Sequence, residues 1–373
     1  CSRDWSSDVC SSDLGQSHVV ERLNSAVKAA NSGEESQEMT HAWIFTGPPG
    51  SGRSSAAVAF AAALVGSALP NPDVEVMKNE GLSIKVDEVR ELLARVSWAP
   101  SVAHWRVVVM EDVDRLTESA ANALLKAIEE PGVRTVWLLC APTLHDILPT
   151  IRSRCRHIQL RTPSNHEVAE YLETKNGVAP KMAQFAARVS QGHIGRARHI
   201  ALDESIRNRR NTILKLPMQL TNIAGAFSAA QVLVDLANEE ADAISEKLDE
   251  KEQEELAQAW GKGATGRGIA SGGAKALKEL EKEQKSRSTR IVRDTLDNAL
   301  LDLATFYRDA LFVLEGQELI NQDLEKEIKQ YAQNTAPEKT VKKLGFILSA
   351  RDDLSRNSAP LLTMEALMCQ LAS

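Results

Sequence analysis

Residues 47–54 have the types and spacing of a phosphate-binding loop, G-x-x-x-x-G-K-[ST], with arginine at position 53 where the pattern has lysine. The backbone N–H groups of such a loop surround phosphates at the N-terminus of a helix, and the hydroxyl at its end binds magnesium. An ordinary glycine turn between a strand and a helix is the alternative. The predicted nucleotide-binding residues are Gly47, Gly50, Ser51, Gly52, Arg53 and Ser54, with Ser54 at the magnesium ion.

A second segment, residues 107–112, predicts a buried strand that ends in two acids. In an active site of this class an aspartate binds magnesium and the glutamate after it activates water, whereas here Glu111 precedes Asp112. Asp112 is shorter than the usual base, and such a displacement lowers the rate by orders of magnitude. The planar guanidinium of Arg53 is also a poor substitute for a compact ammonium between phosphates. We therefore expect at most weak binding of ATP or ADP with magnesium and no efficient hydrolysis; a solvated acidic strand end is the alternative for the acids.

The elements around these segments alternate between strands and helices. Strands are predicted at 42–46, 73–77, 107–110, 136–140 and 157–160, and helices at 19–30, 54–65, 86–96 and 118–130. Apolar strands alternating with helices indicate a parallel sheet covered on both faces. After residue 162 only helices are predicted, at 167–175, 181–189, 206–215 and onward from 223, with breaks at Gly192, at Gly195 and in a flexible glycine-rich loop at 261–273.

The composition sets limits on the class of protein. A chain of 373 residues suits two or three domains, and a net charge of −7 argues against a free-standing basic binder of nucleic acid. No apolar run is long enough to span a bilayer and no secretory signal is evident, so we expect a cytoplasmic protein. The five cysteines form no C-x-x-C pair, which predicts neither zinc nor a disulfide framework. Residues 1–14 have no hydrophobic period and are interpreted as a foreign segment.

The chain resembles the bacterial clamp-loader branch of the AAA+ proteins in residues 47–54, 86–90, 122–131 and 153–155, of which 122–131 (Asn-Ala-Leu-Leu-Lys-Ala-Ile-Glu-Glu-Pro) is the most specific. Residues 111–116 and the tail at 260–290 resemble more narrowly the delta-prime members of that family, in their actinobacterial form. The resemblance implies an α/β AAA+ P-loop sheet domain at 15–162. It also implies a small helical lid at 163–215 and an all-helical collar domain at 216–373.

The resemblance also implies a role for Arg154. Taken alone, the match of Ser153-Arg154-Cys155 is too short to predict a function, and Arg154 is interpreted as a surface charge. In the family, the arginine of this motif reaches into the ATP site of a neighbouring subunit, which makes Arg154 a catalytic residue in trans. The implied partners are gamma/tau motor subunits, the delta subunit, and, through the complex, the sliding clamp and primed DNA. Such a chain belongs to a DNA polymerase III holoenzyme, a nucleotidyltransferase, without being an active ATPase itself.

Two departures from the family pattern affect the expected binding of zinc and the expected chemistry of the nucleotide site. The four zinc-binding cysteines common in the family are absent between residues 64 and 73, so we expect no zinc. Cys140-Ala141-Pro142 replaces the polar sensor after the fourth strand, and Arg196 is a candidate for the second sensor arginine. The histidines, His193 among them, lack ligand spacing and are interpreted as surface or core residues. An active gamma/tau-type ATPase and a stand-alone AAA+ ATPase remain the alternative functions.

Overall fold

The computed structural model describes residues 16–32, 38–78, 83–220, 222–259, 271–356 and 358–373. The predicted foreign segment at 1–14 lies outside these residues, as does most of the predicted glycine-rich loop. The described chain divides into two compact units, the first ending at Asp203 and the second beginning at Glu204. The predicted boundaries of the lid and of the collar stay predictions.

The first unit contains one sheet of five parallel strands in the order β2-β3-β4-β1-β5. Each predicted strand is present, with ends that differ by one residue at most. Strands β1 and β4 are buried along their whole length, as the apolar runs predict. The strands are β1 (Ala42–Thr46), β2 (Val74–Met77), β3 (Arg106–Met110), β4 (Thr135–Ala141) and β5 (Arg156–Gln159).

The described part of the first unit contains eight helices. The first two pack on one face through residues such as Leu23 and Phe60, and the next two pack on the opposite face through Leu92 and Leu124. The sheet is therefore covered on both sides, as predicted. The helices are α1 (Ser17–Ser32), α2 (Arg53–Val65), α3 (Val86–Val96), α4 (Glu118–Glu129), α5 (Pro149–Arg152), α6 (Asn165–Asn176), α7 (Pro180–Ser190) and α8 (Ile194–Leu202).

Helix α8 corrects the prediction for residues 192–195. Gly192 does break the chain, with a φ of +84° that favours glycine, but Gly195 lies inside α8. His193 caps this helix, because its ring accepts a hydrogen bond from the backbone N–H of Arg196 over 3.1 Å. A glycine in a helix costs about 1 kcal/mol and does not end it when a cap and tertiary packing support the turn.

The second unit is all-helical, as predicted, and its helices share one apolar core. The predicted loop at 261–273 is wrong for its last three residues, because Ser271, Gly272 and Gly273 begin a helix of 42 residues. Good helix formers follow these glycines and outweigh their low propensity. The helices are α9 (Glu204–Gln219), α10 (Ile223–Ala259), α11 (Ser271–Phe312), α12 (Glu325–Asn334), α13 (Pro337–Ser355) and α14 (Pro360–Ala372). Of the helices described, none combines the length and apolar character needed to cross a membrane.

Candidate functional site

The strand order brings the predicted nucleotide-site residues together. Strand β4 lies between β3 and β1, so the carboxyl ends of these three strands are neighbours. The loop at 47–54 follows β1, the acids Glu111 and Asp112 follow β3, and Cys140 lies one residue before the end of β4. In open parallel sheets, ligands bind at this edge.

The loop itself has the backbone of a phosphate-binding loop. Gly50 and Gly52 have φ values of +82° and +84°, a region that favours glycine, and Gly52 is the residue before α2. Ser51 donates its backbone N–H to the carbonyl oxygen of Pro48 over 3.0 Å. Strand, glycine loop and helix therefore follow one another as predicted, and helix α2 directs its N-terminus towards the loop.

Arg53 turns back onto its own loop. Its Nη1 donates a hydrogen bond of 3.0 Å to the carbonyl oxygen of Gly47, and its Nη2 lies 3.6 Å from Oδ1 of Asp112. The side chains of Arg53 and Asp112 are only 13% and 18% exposed. The guanidinium thus links the start of the loop to the acidic strand end, where its positive charge is already compensated.

The acids at the end of β3 lie directly before a short 3-10 turn. Asp112 has a φ of +54°, and Asp114 follows it in a short 3-10 turn. Burial, together with the nearby charge of Asp112, raises the pKa of Asp114. With Asp112 paired to Arg53, this carboxylate is engaged by a cation of the chain itself.

Cys140, at the position where the sequence resemblance predicts a polar sensor, lies beside the loop. Its side chain is completely buried and lies next to the hydroxyl of Ser54. Burial and the charge of Glu111 raise the pKa of this thiol to about 12, although Arg53 and a hydrogen bond with Ser54 act in the opposite direction. The thiol is therefore neutral at physiological pH, and the Ser54 hydroxyl has a protein partner.

His193 is a site residue that the sequence interpretation missed. The N–H of Ile194 donates to the carbonyl oxygen of Gly50 over 3.3 Å, and a Cβ built on Gly50 would lie 2.2 Å from the His193 ring. The start of α8 therefore packs directly on the loop. Burial and the charge of Arg196 lower the pKa of His193 and favour the neutral ring. The run Gly192-His193-Ile194-Gly195 was the available signal, because glycines on both sides of a histidine permit such a close approach.

Magnesium nucleotide does not fit this arrangement of side chains. Arg53 contacts the Gly47 carbonyl oxygen and Asp112, and the Ser54 hydroxyl lies beside the buried thiol of Cys140. A magnesium ion at Asp112 would have to compete with this guanidinium. We derive no catalytic step at this loop, and weak nucleotide binding stays a prediction. Among the described residues no cluster of histidine, cysteine and acidic side chains has the geometry of a metal site.

Arg154 has a different environment. It lies in the turn between α5 and β5, and its side chain is 42% exposed. Its Nη1 donates to the carbonyl oxygen of Thr150 over 2.9 Å and to Oγ of Ser153 over 3.2 Å. Its Nη2 lies 2.8 Å from Oε1 of Glu129, the last residue of α4. The sequence interpretation makes Arg154 a catalytic residue in trans, which stays a prediction, and it did not find the Glu129 contact.

Comparison with known proteins gives matches to subunits of one complex. Residues 22–164 match the family described as DNA polymerase III, delta subunit. The chain is 34% identical over 142 residues to the delta' subunit of Haemophilus influenzae, a match that covers 38% of this chain and 43% of that protein. It is 27% identical over 199 residues to the delta' subunit of Bacillus subtilis, covering 49% of this chain and 60% of that protein.

A subunit with a different name matches similarly. The tau subunit of Bacillus subtilis is 28% identical over 203 residues, which are 46% of this chain and 34% of tau. The chain thus spans between about a third and three fifths of the length of these relatives. The matched residues and the glycine loop at the edge of a five-stranded parallel sheet are thus similar to the clamp-loader subunits of DNA polymerase III, and this similarity supports the family predicted from the sequence.

Proposed function

We propose that the chain is a delta-prime subunit of the DNA polymerase III clamp loader. In this role it hydrolyses no ATP, assembles with gamma/tau motor subunits and the delta subunit, and helps to load the sliding clamp on primed DNA. Relatives named delta' and relatives named tau or gamma both match, so the choice between these roles rests on the chemistry of the loop.

The observation that carries the proposal is the position of Arg53. A motor subunit needs a cation that contacts the β- and γ-phosphates and an acid that is available to magnesium or water. Here the guanidinium contacts Gly47 and Asp112 instead, so both charges are used within the chain. Cys140 beside Ser54 adds an apolar, neutral group where a polar sensor is expected. These three features favour a subunit that keeps the AAA+ scaffold without its reaction.

Arg154 supplies the second half of the proposed role. An arginine that approaches the γ-phosphate in a neighbour's site stabilises the charge of the transition state, and this effect amounts to about 10³-fold or more in rate. The side chain of Arg154 is exposed and contacts a short turn and the side chain of Glu129, which leaves it accessible to a partner. The proposed chain therefore contributes to catalysis only in trans.

The main alternative is an active gamma/tau-type ATPase, which the similarity to tau favours. A stand-alone AAA+ ATPase is the second alternative. Both require turnover by the chain's own loop, and both are disfavoured by the Arg53–Asp112 contact.

Steady-state ATP turnover of the purified full chain separates these functions. We expect no turnover above background, and we expect Ser54→Ala to change nothing, since Ser54 serves no reaction in the proposed role. A purified motor subunit in the same assay is the positive control. Turnover of about one per second, an ordinary enzyme rate, that disappears in Ser54→Ala would reject the proposal in favour of a motor subunit.

A further inference from the structure

We propose that Glu129 holds the Arg154 guanidinium by a reversible contact. In this role Glu129 competes with the phosphate in the neighbouring subunit's site for the guanidinium, and so regulates the arginine supplied in trans. The inference rests on the proposed function of Arg154. It starts from the contact between Nη2 of Arg154 and Oε1 of Glu129, which measures 2.8 Å.

The contact involves the nitrogen that a phosphate needs most. A guanidinium binds an oxyanion through two neighbouring N–H groups, and its two forks are the Nε–Nη2 edge and the Nη1–Nη2 edge. Both forks contain Nη2. While Glu129 holds Nη2, a phosphate has to share this nitrogen or displace the carboxylate. Glu129 therefore opposes bidentate binding of the neighbour's γ-phosphate.

The place of Glu129 on its helix strengthens its attraction for a cation. Glu129 is the last residue of α4, where the helix dipole leaves partial negative charge on the terminal carbonyl groups. A carboxylate is unfavourable there unless a positive charge compensates it. Arg154 is the cation that contacts Glu129 in the described part of the chain. The contact is thus better explained by a need to hold Arg154 than by any contribution of Glu129 to its own helix.

The contact is also weak enough to be released. The two side chains are 42% and 39% exposed, and solvent screens an ion pair of this kind. A nucleotide phosphate carries more charge than one carboxylate and is the stronger partner. When Nη2 leaves Glu129, Nη1 keeps its bonds to Thr150 and Ser153, so the guanidinium stays close to its resting position. The transfer needs no rearrangement of the fold.

The test is Glu129→Gln in the complete complex, reconstituted from the full chain with its motor and delta subunits. Glutamine keeps the size of the side chain and removes the competing charge. We expect kcat/KM for ATP to rise by about twofold to fivefold, the range that an exposed ion pair allows. The affinity of the chain for a motor subunit loaded with a non-hydrolysable ATP analogue is expected to rise by a similar factor, measured by calorimetry. Glu75→Gln is the matched control, because Glu75 forms a comparable exposed pair with Arg95 at 3.0 Å.

The same measurements on Glu129→Gln and Glu75→Gln in an Arg154→Ala background show whether Glu129 acts through Arg154. If Glu129 acts through Arg154, then Glu129→Gln has no effect when the arginine is absent. The holder role is overturned if Glu129→Gln leaves both quantities unchanged or lowers them, or if its effect persists without Arg154. If Arg154→Ala alone changes nothing, the proposed trans function is rejected and the holder role with it.

Discussion

At the scale of single residues, Arg53 lies in the phosphate-binding loop and contacts groups of the chain itself that a nucleotide site would need. The guanidinium has donors at both ends of a planar fork, and it spans the gap between the Gly47 carbonyl and the Asp112 carboxylate. A lysine ammonium is a single point on a flexible stem and would not hold both groups in this way. The substitution from lysine therefore changes geometry more than charge.

This geometry predicts that Arg53→Lys increases nucleotide affinity. Binding to the wild-type loop requires that a partly buried, charge-assisted contact be broken, which costs roughly 1–3 kcal/mol. Removal of that competition should tighten the binding of a fluorescent ATP analogue by about tenfold or more. Arg95→Lys, at an exposed pair in the same unit, should leave the affinity unchanged. Equal affinities of wild type and Arg53→Lys would mean that the guanidinium does not close the loop.

Asp73 provides a residue-scale prediction about stability and pH. Its buried carboxylate accepts hydrogen bonds of 2.7 Å from the backbone N–H groups of Ser101, Val102 and Ala103, and it pairs with Arg106 at 3.2 Å. Burial alone would raise the pKa of Asp73, but the hydrogen bonds from the loop lower it to about 2. The charged form is therefore stabilised in the folded chain.

A lowered pKa contributes stability above the unfolded value, and this contribution is lost as pH falls through the folded value. We expect Asp73→Asn to lower the free energy of unfolding of the first unit by about 2 kcal/mol at neutral pH. The difference between wild type and variant should shrink between about pH 4 and about pH 2. Urea unfolding over this pH range measures it. A difference that stays constant as pH falls would show that the hydrogen bonds do not depend on the charge.

At the scale of elements, the sequence predicts most of the sheet and little of its contacts. Apolar runs such as the one that forms β4 identify buried strands without any knowledge of their partners. The pairing of Arg53 with Asp112 is invisible in the sequence, because it depends on β4 lying between β1 and β3. The Arg154–Glu129 contact was missed for the same reason: the two residues belong to elements that only the fold brings together.

Helix α8 illustrates a different limit of sequence reasoning. Glycines at 192 and 195 predict an interruption, but the capping ring of His193 and the contact with Gly50 keep α8 in place. The tertiary contact outweighs the low helix propensity of glycine here, which is the usual way in which such predictions fail. The position of α8 on the loop therefore depends on contacts between distant parts of the first unit and cannot be predicted from local sequence.

This packing predicts a position-specific cost for alanine at Gly50. Both Gly50 and Gly66 have a positive φ, at +82° and +69°, and an alanine in this region costs about 1–2 kcal/mol. At Gly66 an added Cβ would meet no atom of the described chain within 4 Å apart from the adjacent backbone, whereas at Gly50 the His193 ring lies at 2.2 Å. Gly50→Ala should therefore cost about 1–3 kcal/mol more than Gly66→Ala. Denaturant unfolding of the two variants tests this; equal losses would show that α8 does not pack on the loop.

At the scale of the whole molecule, the chain combines a unit built on a five-stranded parallel sheet with a helical second unit that has its own core. The proposed delta-prime role accounts for a phosphate-binding loop whose arginine and nearby aspartate contact each other. The matched residues support membership of the clamp-loader family, while the delta-prime role, its partners and the actinobacterial form stay proposals.

The most direct test of the account is ATP turnover, stimulated by clamp and primed DNA, of a reconstituted complex that carries Arg154→Ala, with Arg53→Ala as its matched variant. Within the described residues the exposed side chain of Arg154 contacts a short turn and Glu129, so its loss should leave the fold of the chain intact. We predict that Arg154→Ala lowers turnover at the neighbouring site by about 10³-fold, while Arg53→Ala changes it far less. If Arg154→Ala leaves turnover and clamp loading at wild-type values, Arg154 is a surface charge and the proposed function is wrong.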